Sequence, residues 1–310
     1  MKTDILLAVF NGGRFLPELL SSLENQTDGE FRVLWQDDGS GDGSAGLIRE
    51  RSRTDGRFVP GEQQGAHLGA VGNFFSLLSQ SEADRILLCD QDDIWEKEKV
   101  ASLKSSMELA EAKFGRDTPL LIHSDCMLID ENGSLLSCSF FRHQGWDPAA
   151  VQFQRLLVQN NVTGCTLIMN RALRDLAVRH GRPDTMFMHD WFLALTASAF
   201  GQVVFLDRTL TRYRQHAGNT VGASSRSLLR RALDMLLDAE KGRKRIRLTY
   251  SHTRAFLDSY QGVLPQGKAA VANEYLASES LPKLRRVRAV RRIGCIMQSP
   301  VARIGQILFG

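Results

Sequence analysis

The chain has 310 residues, 43% of them hydrophobic and 24% charged, with a formal net charge of +4. This balance excludes collagen-like, coiled-coil and disordered proteins. No apolar run approaches the roughly 18 residues of a membrane-spanning helix, and the N-terminal run ILLAVF is too short for a signal peptide, so we predict a cytoplasmic protein. Five scattered cysteines predict reduced core residues rather than disulfides or a cysteine metal site.

The first part of the chain alternates predicted strands and helices. Residues 4–10 (DILLAVF) form a continuous apolar run typical of a buried strand, and NGG separates it from the helix-periodic FLPELLSSL. RVLWQ, a weak RFVP and RILLC predict further strands, with the helices AGLIRERS and VGNFFSLLSQ between them. This alternation predicts an α/β fold with a mostly parallel sheet flanked by helices on both faces.

After residue 115 the pattern becomes mixed. LLIHSD, VTGCTLIM, VVFLD and LTRYRQH are strand-like, HDWFLALTASAF is an apolar helix, and a short helix is predicted near residues 153–158. From about residue 224 onward the sequence predicts helices rich in arginine.

Polar clusters follow three of the predicted strands. Asn11 comes after the first, Asp37 and Asp38 after the second, and DQDD (residues 90–93) after the fourth. Parallel α/β sheets bind ligands beyond the carboxyl ends of their strands. We therefore expect the three clusters to form one crevice.

The stretch LLCDQDDIW gathers three carboxylates, Asp90, Asp92 and Asp93. Their repulsion is unfavourable unless a cation lies among them. An EF-hand is excluded, because its sixth and twelfth positions counted from Asp90 are Trp95 and Ala101. A solvated acidic loop is the alternative, but the apolar residues on both sides favour Mg²⁺ or Mn²⁺ bridging carboxylates and a diphosphate.

The stretch QDDGSGDGS allows two interpretations. It is either a tight turn that caps the next helix or the edge of a nucleotide pocket. In the second case Asp37 or Asp38 accepts hydrogen bonds from a base or a ribose. Phe10, at the end of the first strand, is then placed to stack on the base.

The segments HDW and YRQH contain the remaining candidates. Asp190 is either a first-turn acid that complements the helix dipole or a general base, and His189 is a second candidate for that role. His216 is either a surface residue or a neutral metal ligand. Arg212 and Arg214 share one face of a strand and would offset diphosphate charge, with one of them expected to make structural contacts only.

The ordered set AVFNGG, QDDGSGDGS, LLCDQDDIW, NNVTGCTLIMN, HDWFLAL and YRQHAGN resembles family 2 glycosyltransferases of the GT-A fold. The resemblance covers about residues 3–222 and is strongest to the bacterial rhamnosyltransferase-like branch. It implies an inverting transferase that uses a nucleotide-diphosphate sugar with Mg²⁺ or Mn²⁺.

The resemblance also implies a role for each candidate residue. Phe10, Asp37 and Asp38 would hold the nucleoside, with Asn11 and Arg214 as further contacts to the nucleotide sugar. Asp90 and Asp92 would form the DxD pair, in which Asp92 binds the metal directly and Asp90 also faces the donor. Asp190 matches the catalytic base, His216 a metal or diphosphate contact, and Gly164 a strand that faces donor sugar and acceptor.

The end of the chain is basic. From Arg226 onward it has 17 Lys and Arg against 6 Asp and Glu, so this segment carries +11 and residues 1–225 carry −7. Opposite charges indicate different tasks, and we predict a catalytic domain over residues 1–222 followed by a basic helical region over residues 223–310.

One predicted helix of this region is amphipathic. Its apolar positions face away from its arginines: Leu284, Val287, Val290 and Ile293 against Arg285, Arg288, Arg291 and Arg292. This pattern predicts peripheral contact with anionic lipid at the inner face of the cytoplasmic membrane. A lipid-linked acceptor would explain the need for such contact. A solvated basic helix and an oligomer contact are the alternatives. Nucleic acid is not an expected partner, because aromatic residues are not interleaved with the basic ones.

The resulting prediction is transfer of a sugar, with rhamnose favoured, from a nucleotide-diphosphate donor to a glycan acceptor in surface polysaccharide (O-antigen or capsule) biosynthesis. Two other functions stay open. A nucleotidyltransferase would carry a Gly-rich, basic loop after the first strand, of which NGGR is a poor version. A non-catalytic sugar-binding module would not need a metal pair and a base.

Overall fold

A computed structural model describes residues 1–216 and 239–309. The predicted boundary between residues 222 and 223 lies outside these residues. The strands are β1 (Thr3–Val9), β2 (Arg32–Asp37), β3 (Phe58–Pro60), β4 (Arg85–Asp90), β5 (Ile94–Trp95), β6 (Leu120–Ile129), β7 (Leu135–Ser137), β8 (Leu167–Asn170) and β9 (Gln202–Arg214).

The helices alternate with these strands and then continue alone at the end of the chain. They are α1 (Leu16–Glu24), α2 (Ser44–Thr54), α3 (Gly69–Gln80), α4 (Lys99–Phe114), α5 (Phe140–Gln144), α6 (Phe153–Leu156), α7 (Arg171–His180), α8 (His189–Phe200), α9 (Ala239–Ser259), α10 (Gln266–Ser278), α11 (Lys283–Ile293) and α12 (Pro300–Phe309).

All nine strands belong to one sheet, ordered β3-β2-β1-β4-β8-β6-β9-β5, with β7 paired to β6. The pairs β1–β2, β1–β4 and β2–β3 are parallel. β8 is antiparallel to both β4 and β6, whereas β6 and β9 are parallel. The α/β fold and the helical extension are confirmed, and the change to mixed pairing comes where the sequence pattern becomes mixed.

Three predicted strands differ from the structure. VVFLD and LTRYRQH form one strand, β9, whose register with β6 shifts between Ser124 and Asp125. VTGCTLIM is not a single strand, because Gly164–Thr166 forms a 3₁₀ turn before β8 begins. That turn lifts the backbone out of the sheet at the edge where the polar clusters lie.

Two apolar cores cover the two faces of the sheet. Successive residues of β1 alternate between them, with Ile5 and Leu7 facing the core formed with α1 and α4, and Leu6 facing the core formed with α3 and α8. Burying one leucine or isoleucine side chain completely contributes about 1.5–3 kcal/mol to the free energy of folding. The strands between the cores are therefore rigid supports for the loops at their ends.

The C-terminal helices pack on the α8 side of the sheet. Tyr260 is buried, stacks on Phe192 of α8 with ring centroids 5.6 Å apart, and its hydroxyl lies 2.9 Å from the Thr196 hydroxyl. Phe256 contacts the rings of both Phe192 and Phe153. The described part of the extension thus shares the core of the sheet domain.

The apolar face of α11 is turned mainly toward the protein. Val290 is buried and Ile293 packs against the core, while Leu284 is 76% exposed. Neighbouring helices thus cover part of this apolar face, and peripheral membrane contact stays a prediction. Among the described residues no helix is both long and apolar enough to span a membrane.

The cysteines are all free, and four of them are buried as expected. Cys138 is exposed, which corrects the prediction for that residue. It follows β7, the short strand that pairs with β6.

Candidate active site

The strand ends that carry the polar clusters lie side by side. In the parallel register Val9 of β1 is opposite Asp37 of β2, and Ala8 of β1 is opposite Asp90 of β4. Their carboxyl ends therefore open at the same edge of the sheet, with β1 in the middle. The structure brings the three clusters into one crevice.

Phe10 and Asn11 form the floor of this crevice at the end of β1. Phe10 is 51% exposed, so its ring is available to a planar ligand. Asn11 has φ = 51°, a left-handed conformation that Asn tolerates better than most residues. Its Oδ1 accepts from Gly41 N at 2.9 Å and its N–H donates to Ser40 Oγ at 2.8 Å, which holds the β2–α2 loop against β1.

Asp37 and Asp38 differ in what their carboxylates can still bind. Both oxygens of Asp38 accept backbone N–H groups, from Leu68 at 2.6 Å and Gly69 at 2.8 Å, and so fix the start of α3. In Asp37, Oδ2 accepts from the turn that follows, but Oδ1 is buried and has no partner among the described residues. A buried acceptor without a partner is costly, so Asp37 is the better candidate for a nucleoside N–H or O–H.

The DQDD loop contains the candidate metal ligands. Oδ2 of Asp92 lies 2.7 Å from Nε2 of His216, which brings the end of β9 to this loop. Asp90, Asp93 and the Cys165 thiol have donor atoms within 4.8 Å of one another. Burial raises the pKa of Cys165 well above its usual range, which favours the neutral thiol over the thiolate that binds metals. The hard donor set of carboxylates and one imidazole fits Mg²⁺ or Mn²⁺.

The electrostatics of this loop favour a cation. Burial, followed by the charges of Asp93 and Asp92, raises the pKa of Asp90 well above its usual range. Burial and the charge of Asp92 raise the pKa of Asp93 to about 7. Lys99 supplies positive charge near these carboxylates and is fully buried, with Nζ 2.6 Å from Cys165 O and 3.5 Å from the centre of the Trp95 ring.

Arg214 does not present its guanidinium to the crevice. It is buried, and its nitrogens donate to Asp92 O at 2.9 Å, to Glu131 O at 3.1 Å and to the Glu18 carboxylate. We therefore propose that Arg214 supports the DQDD loop, because all three of its guanidinium nitrogens contact protein oxygens, and its contact with a diphosphate stays a prediction. Arg212 is half exposed and pairs with Glu96 at 2.7 Å.

Asp190 lies at the start of α8 beside the 3₁₀ turn. Its Oδ2 accepts from Gly164 N at 3.1 Å and its Oδ1 from Trp191 N at 2.6 Å. Burial raises the pKa of Asp190 to about 7, which suits a general base at neutral pH. A Cβ at Gly164 would lie 3.6 Å from Asp190 Cβ and 3.1 Å from His189 Nε2, so glycine allows the turn to approach.

His189 is unsuited to the role of base. It is buried against Phe74, with ring centroids 4.2 Å apart, and neither ring nitrogen has a hydrogen-bond partner among the described residues. Burial lowers its pKa to about 3. Its neutral ring therefore supports the start of α8, and Asp190 is the stronger candidate.

Comparison with known families decides the class of the protein. Residues 4–176, more than half of the chain, match the family model described as Glycosyl transferase family 2. The chain belongs to this family. The enzyme class predicted from the sequence is thereby confirmed at the level of glycosyltransferase.

Similar proteins from this comparison include two bacterial relatives. The chain is 24% identical over 242 residues to the dTDP-rhamnosyl transferase RfbG of Shigella flexneri. The matched residues cover 70% of this chain and 74% of RfbG. It is 23% identical over 305 residues to the putative glycosyltransferase EpsH of Bacillus subtilis, with 96% and 83% covered.

Among solved structures, S. aureus TarS 1–349 in complex with UDP matches with a TM-score of 0.59 at 16% identity, covering 99% of this chain and 86% of that one. A second structure of S. aureus TarS 1–349 matches with a TM-score of 0.56 at 17% identity, covering 99% of this chain and 88% of that one. At such identities the likeness shows the fold, and the GT-A architecture that the motifs predicted is confirmed.

Sequence analysis of this glycosyltransferase missed Gln91, the middle residue of DQD. Its side-chain amide accepts from Phe10 N at 2.7 Å and donates to Phe10 O at 2.6 Å. A Cβ on Gly12 would overlap that amide, so NGG gives the close approach its room. Lys99 was also missed, and its position after DQDDIW was the one available signal. A single glutamine or lysine carries no pattern that reveals such a partner.

Proposed function

We propose that this family 2 glycosyltransferase is inverting and metal-dependent, and that it moves a sugar from a nucleotide-diphosphate donor to a hydroxyl of a glycan acceptor. One observation carries the proposal. Asp190 is close enough to contribute to the raised pKa of Asp90, while the turn between them contacts both, through Gly164 N to Asp190 and Cys165 beside Asp90. A candidate base and candidate metal ligands thus share one buried site.

The donor would bind across the strand ends. Phe10 stacks on the base, Asp37 Oδ1 accepts a hydrogen bond from the nucleoside, and Asn11 keeps the neighbouring loop in place. Asp38 acts through the start of α3 rather than by direct contact. The sugar then lies toward the turn at Gly164, where glycine lets the backbone pack closely against His189 and Asp190.

Transfer would proceed by a single displacement at the anomeric carbon. Asp190 takes the proton of the attacking acceptor hydroxyl at the face opposite the departing nucleoside diphosphate. Asp90, Asp92 and His216 would hold Mg²⁺ or Mn²⁺, which neutralises charge developing on the leaving oxygen. Arg214 keeps the DQDD loop in place through its contact with Asp92 O. Lys99 holds the 3₁₀ turn through its contact with Cys165 O.

The donor and acceptor are proposed from similarity. The relative RfbG is a dTDP-rhamnosyl transferase, which makes dTDP-rhamnose the first donor to test. A lipid-linked glycan at the inner face of the cytoplasmic membrane, in surface polysaccharide assembly, is the corresponding acceptor. The exposed arginines of α11 support contact with such a surface.

A donor panel tests the function. Purified protein would be incubated with nucleotide sugars in Mn²⁺ or in EDTA, and release of nucleoside diphosphate measured. We expect release with one donor class in Mn²⁺, its loss in EDTA and in Asp190→Asn, and full activity in Asp117→Asn, an exposed acid before β6.

Three results would contradict the proposal. Equal release of nucleoside diphosphate in EDTA and in Mn²⁺ would refute the proposed dependence on a metal. Release of pyrophosphate from a nucleoside triphosphate and a sugar phosphate would favour a nucleotidyltransferase. Donor binding without turnover under any condition would favour a sugar-binding module.

A further inference from the structure

The C-terminal helices enclose a pocket separate from the strand-end crevice. It lies among α9, α10, α11, α12 and the segment between the last two, and its interior volume is about 60 Å³. A space of this size takes part of a ligand rather than a whole drug-sized molecule. Its aliphatic wall is formed by Ile246, Val287, Val290, Ile296 and Ile307.

Two tyrosines add aromatic surface to this wall. Tyr250 and Tyr275 are buried and stacked, with ring centroids 4.6 Å apart. Their hydroxyls are satisfied inside the bundle, that of Tyr250 by Ser278 at 3.2 Å and that of Tyr275 by Thr249 at 2.6 Å. The rings therefore contribute apolar surface to the pocket.

Three arginines, Arg286, Arg291 and Arg303, also line the pocket. Within residues 1–216 and 239–309 none of them forms an ion pair with a carboxylate, and no lining residue is acidic. Nε of Arg286 is buried without a hydrogen-bond partner in the same part of the chain. Clustered guanidinium groups without acidic partners favour an anion, and their planar donors match phosphate oxygens.

Two other arginines of this bundle have carboxylate partners. Arg254 of α9 pairs with Glu279, and Arg292 of α11 pairs with Glu274. Neither of these two arginines lines the pocket. The three lining arginines place positive charge beside an apolar cavity, which is the arrangement expected for an amphiphilic anion.

One wall of the pocket is hydrogen-bonded to the chain that leads to the candidate base. Ile296 O accepts from Arg155 at 2.8 Å, and Gln298 donates through its N–H to Gln159 at 3.0 Å and through its side chain to Asn161 at 2.8 Å. The residue between these last two partners, Asn160, faces Asp190 and lowers its pKa. The pocket and the acceptor side of the crevice therefore share a bonded segment.

We propose that this pocket binds a single hydrocarbon chain that ends in a phosphate or diphosphate, the lipid end of the acceptor. The aliphatic wall takes the part of the chain next to the phosphate, and the three arginines take the phosphate. The identity of the ligand as an acceptor lipid rests on the proposed function. The existence of the site rests on the lining residues alone. Because Val287 and Val290 face the cavity rather than the surface, the structure favours insertion of one chain over contact with a flat bilayer.

Calorimetry on the full chain tests the site directly, with decyl phosphate below its critical micelle concentration as the probe. We expect one binding site per chain, at least about tenfold weaker binding in Arg291→Gln, and a change of less than about twofold in Arg288→Gln. Both arginines are exposed on α11, but only Arg291 lines the pocket, so Arg288→Gln is a matched control. Val287→Phe, which fills the cavity, should weaken binding to a similar degree.

Three outcomes would overturn the inference. Equal losses in the two arginine variants would mean general attraction to a basic surface. Equal binding of uncharged decyl maltoside would show that the phosphate is not recognised. Equal binding of a short diacyl phosphatidylglycerol would indicate a membrane-lipid surface rather than a single-chain site.

A second measurement separates this inference from the proposed function. Arg291→Gln should leave release of nucleoside diphosphate from the donor in the absence of acceptor unchanged, and should raise the KM for a lipid-phosphate acceptor at least about tenfold. Decyl phosphate binding in a protein that hydrolyses no donor would refute the transferase and keep the pocket. Donor hydrolysis without decyl phosphate binding would refute the pocket alone.

Discussion

The side-chain amide of Gln91 forms two hydrogen bonds with the backbone of Phe10, at 2.7 Å to its N–H and 2.6 Å to its carbonyl oxygen. One residue thereby joins the loop of the candidate metal ligands to the aromatic residue at the end of β1. In the proposed donor complex, this link would set the spacing between the nucleobase on Phe10 and the diphosphate.

Gln91→Ala should raise the donor KM about tenfold with a smaller effect on kcat, because two hydrogen bonds worth about 1 kcal/mol each are lost. Steady-state kinetics with saturating Mn²⁺ measure the split. Gln63→Ala, at an exposed position, is the control. An unchanged KM in Gln91→Ala would mean that the link does not set the donor site.

Asp92→Ala should abolish metal-dependent donor binding, because the variant loses a carboxylate that contacts His216 at 2.7 Å. Calorimetric titration with donor in Mn²⁺ and in EDTA measures it. Donor affinity that is the same in both buffers and in both proteins would instead indicate a solvated acidic loop.

The pH dependence of transfer should follow Asp190. Its pKa is raised to about 7 by burial, and the deprotonated form is the base, so kcat/KM should rise with pH up to about 7 and level off above it. Asp190→Asn should lower kcat at least about 100-fold at the plateau, with donor affinity unchanged. A flat profile from pH 5 to 8 in the wild type would assign proton transfer elsewhere.

Lys99→Met should reduce the free energy of unfolding by about 3 kcal/mol, because it removes a buried cation from beside Asp90 and Asp93. Urea unfolding without metal measures this loss. Mn²⁺ should restore more stability to this variant than to the wild type, since the metal replaces the missing charge. Lys97 is exposed just before α4, so Lys97→Met should change the free energy of unfolding little. Equal effects of the two substitutions would rule out a special role for Lys99.

Gly164→Ala should lower kcat about tenfold, because the new methyl group would crowd His189 Nε2 at 3.1 Å and displace the start of α8. Gly56→Ala, where a Cβ meets nothing within 4 Å, is its control. Full activity in Gly164→Ala would show that the turn yields without moving Asp190.

The order of strands and helices around the crevice was predictable, because buried strands and amphipathic helices differ in apolar period. What lay beyond prediction depends on long-range partners. Asp37 and Asp38 are adjacent in sequence, yet only the structure shows that the start of α3 occupies both oxygens of Asp38. Likewise, the alternation of Arg212 and Arg214 does not reveal which of them Glu18 and the Asp92 carbonyl hold.

The amphipathic pattern of α11 gives a similar lesson. An apolar stripe opposite arginines predicts burial of the stripe, but it does not say whether the covering surface is lipid or protein. Here Val290 is covered by neighbouring helices of the same chain. The helices that cover Val290 come from residues 239–278. They lie outside the segment whose apolar pattern predicted the membrane contact, so that pattern could not reveal them.

The packing of Tyr260 and Phe256 on Phe192 has a practical consequence for dissecting the enzyme. Cutting the chain before residue 239 would leave the outer side of α8 uncovered, and the shortened protein would be prone to aggregate. Loss of vesicle binding or of turnover in such a truncation would then reflect a damaged fold. Point substitutions on the solvent side of the bundle are the cleaner way to assign its role.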